Sequence, residues 1–275
     1  MPVERIYVTR HGFRSNWDTT VLPKPAPTGI DGDPPLSAHG EEQAHELCAY
    51  LSTILPSVVR IYTSPFYRCL QTICELTDLL NVDILPEYGF GEWYGRTRKT
   101  HPRAASNETL KSFFPRVSLE YEPIAVPSTE GETIQELHDR AESVLAAMIK
   151  DCNENHPEVK TVVICAHAAT IIALGRALVG DMSYDVRTGT CSISVYGADP
   201  SDNGTGKWTC LINGSTSHLA SGEERHWSFE TGEYDFLDVQ AYHVHTDSRD
   251  VTVNPASVSD TNSVSVSETV VDGKI

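Results

Sequence analysis

Positive charge is scarce in this chain. It carries 21 Lys and Arg against 38 Asp and Glu in 275 residues, a formal net charge of −17. Binding along a nucleic-acid backbone needs clustered cations, and so does attraction to an anionic membrane surface. The composition therefore argues against both, and no direct nucleic-acid or membrane partner is expected. A small phosphorylated substrate remains compatible, because a few arginines can make a local positive pocket in an acidic protein. The start, Met1-Pro2-Val3-Glu4-Arg5-Ile6-Tyr7-Val8, lacks the basic and apolar regions of a secretory signal. The most apolar window, 161–180, contains His167 and Arg176 and reads as a strand followed by a helix, not a membrane span. There is no C-x-x-C, no H-x-x-x-H and no EF-hand loop, so no metal or other cofactor is expected. The seven cysteines are an odd number and read as reduced residues of an intracellular protein, cytoplasmic or nuclear.

What is present is an alternation of strand and helix patterns. Residues 5–9, 58–63, 82–85 and 161–166 are short runs rich in β-branched and aromatic residues. Helical periodicity follows Ser37, an N-cap candidate, with apolar residues at 44, 47, 48, 51, 54 and 55. A second stripe falls at 69, 70, 73, 76, 79 and 80, closed by Asn81. Thr133 and Glu136 match a capping box that opens a helix to about Cys152, and residues 168–179 read as a helix ended by Gly180. Two further strands are expected at 191–196 and 207–213. Residues 21–35 hold five prolines and read as a loop, and 96–130 show no regular pattern. The expected fold is an α/β three-layer sandwich with a mainly parallel central sheet and helices on both faces. Residues 1–230 form its one domain. Residues 231–275, with eight acids and two bases, read as an acidic Ser/Val-rich mobile tail.

In such sheets ligands sit beyond the carboxyl ends of the strands. The first strand ends at Arg10 and His11, the second leads to Arg68, the third to Glu87 and Glu92, and the fourth to His167. Each alone is unremarkable: a histidine behind a buried strand is often only a core residue. Together they bring imidazoles, guanidiniums and a carboxylic acid to one edge. Arginine forks fit a phosphoryl group, a neutral imidazole can carry one covalently, and a carboxylic acid can protonate a leaving oxygen. The Trp and Phe residues nearby (Phe13, Trp17, Trp93), with Tyr94, suggest an aromatic mouth.

R-H-G at 10–12, S-P-F-Y-R-C-L-Q-T at 64–72 and A-H-A at 166–168, in that order, resemble the histidine phosphatase superfamily, which has the phosphoglycerate-mutase-like fold. The resemblance covers roughly residues 4–230. It implies a metal-independent phosphate-monoester hydrolase with His11 as the phosphorylated nucleophile, and with Arg10, Arg68 and His167 on the phosphoryl oxygens. Arg14 matches a further arginine of the branch that includes the suppressor-of-T-cell-signalling phosphatases. The R-H-G-x-R-x-P pattern of secreted acid phosphatases is broken at Asn16. Two general acids are implied by different branches, Glu87 by one and Glu92, directly before Trp93, by the other; Arg14 and Glu92 point to the same branch. R-H-G-F-R-S-N-W (10–17), T-G-I-D-G-D (28–33), G-E-W-Y (91–94), T-G-T-C-S (188–192) and S-G-E-E-R-H-W-S-F (221–229) resemble a fungal group. That group contains the 55-kDa subunit of the RNA polymerase III factor TFIIIC and a shorter stand-alone relative. It implies an alternative role, a phosphatase-like subunit with a protein partner in a transcription complex and little or no turnover.

Overall fold

The computed structural model describes residues 3–22, 24–56, 59–97, 101–199 and 208–230. Six strands form one sheet: β1 (Arg5–Arg10), β2 (Val59–Thr63), β3 (Ile84–Pro86), β4 (Thr161–Ala166), β5 (Ile193–Ala198) and β6 (Trp208–Ser215). Their order across the sheet is β3-β2-β4-β1-β5-β6. β1, β2, β3 and β4 run parallel; β5 pairs antiparallel with β1, and β6 pairs antiparallel with β5 and so runs in the direction of β1. The expected tail, 231–275, lies outside the described residues.

β4 is buried along its whole length, as the continuous apolar run T-V-V-I-C-A requires of a strand covered on both faces. Its side chains alternate between two cores. Val162, Ile164 and Ala166 pack with α4 (Ile134–Asn155) and α5 (Ala168–Val179). Val163 and Cys165 pack with α1 (Ala38–Ile54) and α2 (Tyr67–Leu80). These are the three layers the sequence pattern implies. Ser37 caps α1 by accepting from Gly40 N, and Asn81 ends α2 in the left-handed region at φ 55°. Thr133 and Glu136 form the capping box in full. All seven cysteines are thiols, five of them buried. Among the described residues no helix is long and apolar enough to cross a membrane.

The segment 96–130 is not wholly irregular. It contains α3 (Asn107–Phe113), capped by Ser106, which buries Leu110 against Leu70, Ile84, Phe114 and Val117. Seven residues make only two turns, too few for a periodic stripe to stand out.

β1 and β4 are neighbours, but the helices that follow them lie on opposite faces of the sheet. A crevice opens between their carboxyl ends, the position where doubly wound sheets hold ligands. Arg10 and Ala166 are register partners, so His11 and His167 emerge side by side. Ser64 and Glu87 emerge at the same edge, their amides donating to Cys165 O at 2.9 Å and Thr63 O at 2.9 Å.

Candidate active site

The loop after β1 is held by the motif residues themselves. Gly12 N donates to Thr72 Oγ1 at 3.0 Å, and Phe13 N donates to Gln43 Oε1 at 3.0 Å. A Cβ on Gly12 would stand 2.7 Å from the Gly40 carbonyl oxygen, and one on Gly40 would stand 2.1 Å from that of Phe13. Only glycine at both places lets α1 start against this loop.

His11 is fully enclosed, 1% exposed. Its Nδ1 lies 2.8 Å from Gly12 O, so that nitrogen carries the proton and donates, and Nε2 keeps its lone pair. Burial and the charges of Arg68 and Arg10, then of His167 and Arg14, hold its pKa well below the usual imidazole value. The ring is therefore neutral at physiological pH, the state a nucleophile requires.

His167 stands beside it, with ring centroids 5.3 Å apart. Its Nε2 is 2.7 Å from Ser64 Oγ, and its Nδ1 is 3.2 Å from Glu92 Oε2. Burial alone would lower its pKa, but Cys69 and Glu92 outweigh that and raise it. Arg68, buried at the start of α2, donates from Nη2 to Glu92 Oε2 at 3.0 Å and reaches Asp33 Oδ1 at 3.4 Å with Nη1. Arg68 also lies 4.8 Å from the Phe66 ring centroid. Glu92 is pushed up by burial, yet His167, Arg68 and Arg14 overcome this and hold it well below the usual carboxylate range.

Arg10 donates from Nη1 to Thr188 O at 2.8 Å and to Arg225 O. Trp17 gathers the remaining cations: the guanidinium carbons of Arg14, Arg225 and Arg10 lie 4.1, 4.8 and 5.4 Å from its ring centroid. The same ring is 5.9 Å from that of His11.

The structure thus brings Arg10, His11, Arg14, Arg68, Glu92 and His167 together. Glu87, the other candidate general acid, has different partners. Glu87 is 0% exposed and its oxygens are taken by Gly89 N at 2.7 Å, Tyr121 OH at 2.6 Å, Ile124 N at 2.8 Å and Ala125 N at 3.3 Å. It fastens the 121–125 segment to the end of β3. Between Glu87 and Glu92 the chain makes a 3₁₀ turn, Tyr88–Phe90. Arg140 of α4 donates to Gly89 O in that turn, and Thr170 of α5 donates to Gly91 O at 2.8 Å. Glu92 therefore leaves a turn fixed from two helices.

A cleft of about 270 Å³, open to solvent, lies next to the cluster. Phe66, Tyr94, His101 and Pro127 are in its wall, with Arg103 also bordering it. Of the clustered side chains, Glu92 alone lines it. Of the four aromatic residues expected at the mouth, Phe13, Trp17, Trp93 and Tyr94, only Tyr94 lines the cleft. Trp93 does not contribute to it: its Nε1 donates to Glu132 O at 3.0 Å and its ring meets Phe229.

Sequence reasoning gave no role to Asp33, Ser64 or Arg225. Ser64 and Asp33 stand in the quoted S-P and T-G-I-D-G-D segments, so the letters were visible while their contacts were not. Asp33 accepts the Tyr67 amide at 3.0 Å and thereby seats the first turn of α2 beneath Arg68.

One oxygen or nitrogen from each of His11, Glu92 and His167 falls within 4.8 Å of the others, close enough for a metal ion. The guanidiniums of Arg68, Arg10 and Arg14, however, impose a positive potential on the same space. That potential favours an anion over a divalent cation. The arrangement can clasp a phosphoryl-sized oxyanion against a neutral imidazole, with a carboxylate at the rim.

The chain is similar to the transcription factor tau 55 kDa subunit of Saccharomyces cerevisiae, 38% identical in an alignment of 259 positions that covers 84% of this chain. It spans 59% of that relative's length. It is also 28% identical over 167 residues to the ecdysteroid-phosphate phosphatase of Drosophila melanogaster, covering 57% of this chain and 21% of that protein. Among solved structures, the ecdysone phosphate phosphatase of Bombix mori, in complex with tungstate, aligns with TM-score 0.61 and 20% identity over 82% of this chain and 98% of its own. A phosphoserine phosphatase from Entamoeba histolytica aligns with TM-score 0.51 and 18% identity over 78% of this chain and 98% of its own. At those identities the two structures speak to the fold. The family model for the histidine phosphatase superfamily (branch 1) matches residues 6–210, from β1 into β6. R-H-G, the arginine opening α2 and the histidine ending β4 all fall inside that match, and the chain belongs to the histidine phosphatase superfamily, branch 1.

Proposed function

We propose that the protein is a phosphate-monoester hydrolase that works through a phosphohistidine on His11. The observation that carries this reading is the enclosed, neutral His11 ring with its Nε2 lone pair set among guanidiniums. Nε2 attacks phosphorus, the bond from phosphorus to the ester oxygen breaks, and Arg10, Arg14, Arg68 and protonated His167 hold the three outer oxygens as charge spreads over them.

Glu92, not Glu87, takes the general-acid role. In the resting site Glu92 is ionised, because His167 and Arg68 favour its anion. A bound phosphoryl group engages those same cations and adds negative charge beside Glu92, raising its proton affinity. The proton it gains, from water or from a monoanionic substrate, passes to the leaving oxygen. In the second step water attacks phosphorus while giving a proton to Glu92, and the P–Nε2 bond breaks, releasing phosphate and restoring the neutral His11 ring. The leaving alcohol occupies the cleft that Glu92 borders. Phe66, Tyr94 and Pro127 suit an aromatic or otherwise apolar alcohol there.

His11→Ala removes the acceptor, and turnover of p-nitrophenyl phosphate is expected to fall by at least about 10³-fold with the fold retained. The check is acid-labile ³²P on the parent protein and none on the variant. Turnover in the variant equal to the parent would refute the mechanism.

The likeness to the tau 55 kDa subunit supports a second reading, a protein partner in a nuclear transcription complex. Affinity purification that recovers RNA polymerase III factor subunits, from a protein that turns over no phosphorylated substrate, would favour that role over hydrolysis.

A further inference from the structure

The family match ends at residue 210, yet the site does not. Residues 221–229 return against the loop between β1 and α1. Two sets of contacts fix this strap. Glu224 Oε2 accepts from His39 Nε2 and Gln43 Nε2, each at 2.6 Å, and Glu224 O accepts from Thr190 N at 3.0 Å. Beyond it, Trp227 is 4% exposed and exchanges hydrogen bonds with Thr188, its amide donating to Thr188 Oγ1 at 2.8 Å and that hydroxyl donating to Trp227 O at 2.7 Å.

Arg225 sits between these anchors with φ 54°, a left-handed conformation that few non-glycine residues adopt. The conformation turns its carbonyl toward Arg10 Nη1 and lays its side chain against two rings, 5.1 Å from Phe13 and 4.8 Å from Trp17. Those rings meet edge to face at 5.3 Å. The half-buried guanidinium is thus held in place, and among the described residues no carboxylate pairs with it. Arg10 and Arg14 approach the same Trp17 ring. Like charges around one ring repel, and an oxyanion bound among them offsets that repulsion.

We propose that Arg225 is a further oxyanion-binding residue of this site: its guanidinium joins Arg10 and Arg14 on the phosphoryl group while its carbonyl seats Arg10. The proposal rests on the reading of the site as one that binds a phosphoryl group. It gives the strap a function that the family-matched segment does not contain.

Two variants of the full chain separate the side chain from the backbone. Asn tolerates the left-handed conformation, so Arg225→Asn keeps the carbonyl in place and removes the guanidinium. Arg225→Lys keeps a charge but loses the planar fork. Tungstate binding, measured by calorimetry, is expected to weaken about tenfold in Arg225→Asn and less in Arg225→Lys, with thermal midpoints close to the parent's. KM for p-nitrophenyl phosphate rises by a similar factor, and kcat changes less. Two results would overturn the proposal: tungstate bound by Arg225→Asn as tightly as by the parent, or equal weakening in both variants with a matching loss of thermal stability. If the parent binds tungstate but hydrolyses nothing, the hydrolase reading fails, and the calorimetry still decides the role of Arg225.

Discussion

Glu87 and Glu92 are five positions apart at the same edge of the sheet, Glu87 fully buried and Glu92 with 18% of its side chain exposed. Their surroundings differ in kind. Glu87 faces three backbone amides and a tyrosine hydroxyl, all neutral, and each bond ties down a stretch of chain. Glu92 faces a guanidinium and an imidazole of the cluster around His11, and one side of it borders the cleft. A carboxylate closed by neutral donors holds a loop. A carboxylate shared among cations that a substrate will engage can change its proton affinity on binding. Burial alone does not distinguish the two roles, whereas the identity of the partners does.

Three experiments test that contrast. Glu92→Gln removes the proton carrier but keeps the shape, and kcat for a poor leaving group such as an alkyl phosphate is expected to drop about 10²–10⁴-fold. The drop should be smaller for p-nitrophenyl phosphate, whose leaving group needs little protonation. Equal losses for both substrates would remove Glu92 from the proton path. Glu87→Gln replaces an acceptor of four hydrogen bonds with an amide whose NH₂ meets donors. Its unfolding free energy is expected to fall by about 3 kcal/mol, with kcat nearly unchanged at temperatures where it stays folded. Denaturant titration and steady-state rates on one preparation would check this. A rate loss without a stability loss would reverse the two assignments.

The smallest effect is in pH. His11 is depressed below 6.5, so it stays neutral and nucleophilic as pH falls through that value. His167 is raised above 6.5, so it keeps its proton at higher pH than an ordinary imidazole. kcat/KM is expected to hold or rise from about pH 7.5 to about pH 5.5, with an acid limb below the normal histidine range. A decline centred near 6.5 would mean that the essential histidine is not the enclosed one.

Much of this was legible in the chain. The apolar run of 161–166 required a doubly covered strand, and Ser37, Asn81, Thr133 and Gly180 marked helix ends because local backbone chemistry sets those positions. The strand-end residues Arg10, His11, Arg68 and His167 followed from the rule that parallel strands deliver their carboxyl ends to one edge. α3 was not legible, since two turns make no pattern. Neither were the Asp33 contact to α2 and the strap, because their partners are remote: the Arg10 guanidinium is held by a carbonyl 215 residues away. In the sequence both segments are only runs of letters shared with a fungal group.

The sequence by itself determined the layer order and placed the reactive residue types at the carboxyl ends of the strands, because side-chain periodicity and helix-end chemistry act over a few residues. The tertiary structure alone decided which glutamate faces the cations, which nitrogen of His11 keeps its lone pair, and that Arg225 lies against the Trp17 ring. Those outcomes depend on burial and on the charge of neighbours brought from distant parts of the chain, and no local pattern encodes either.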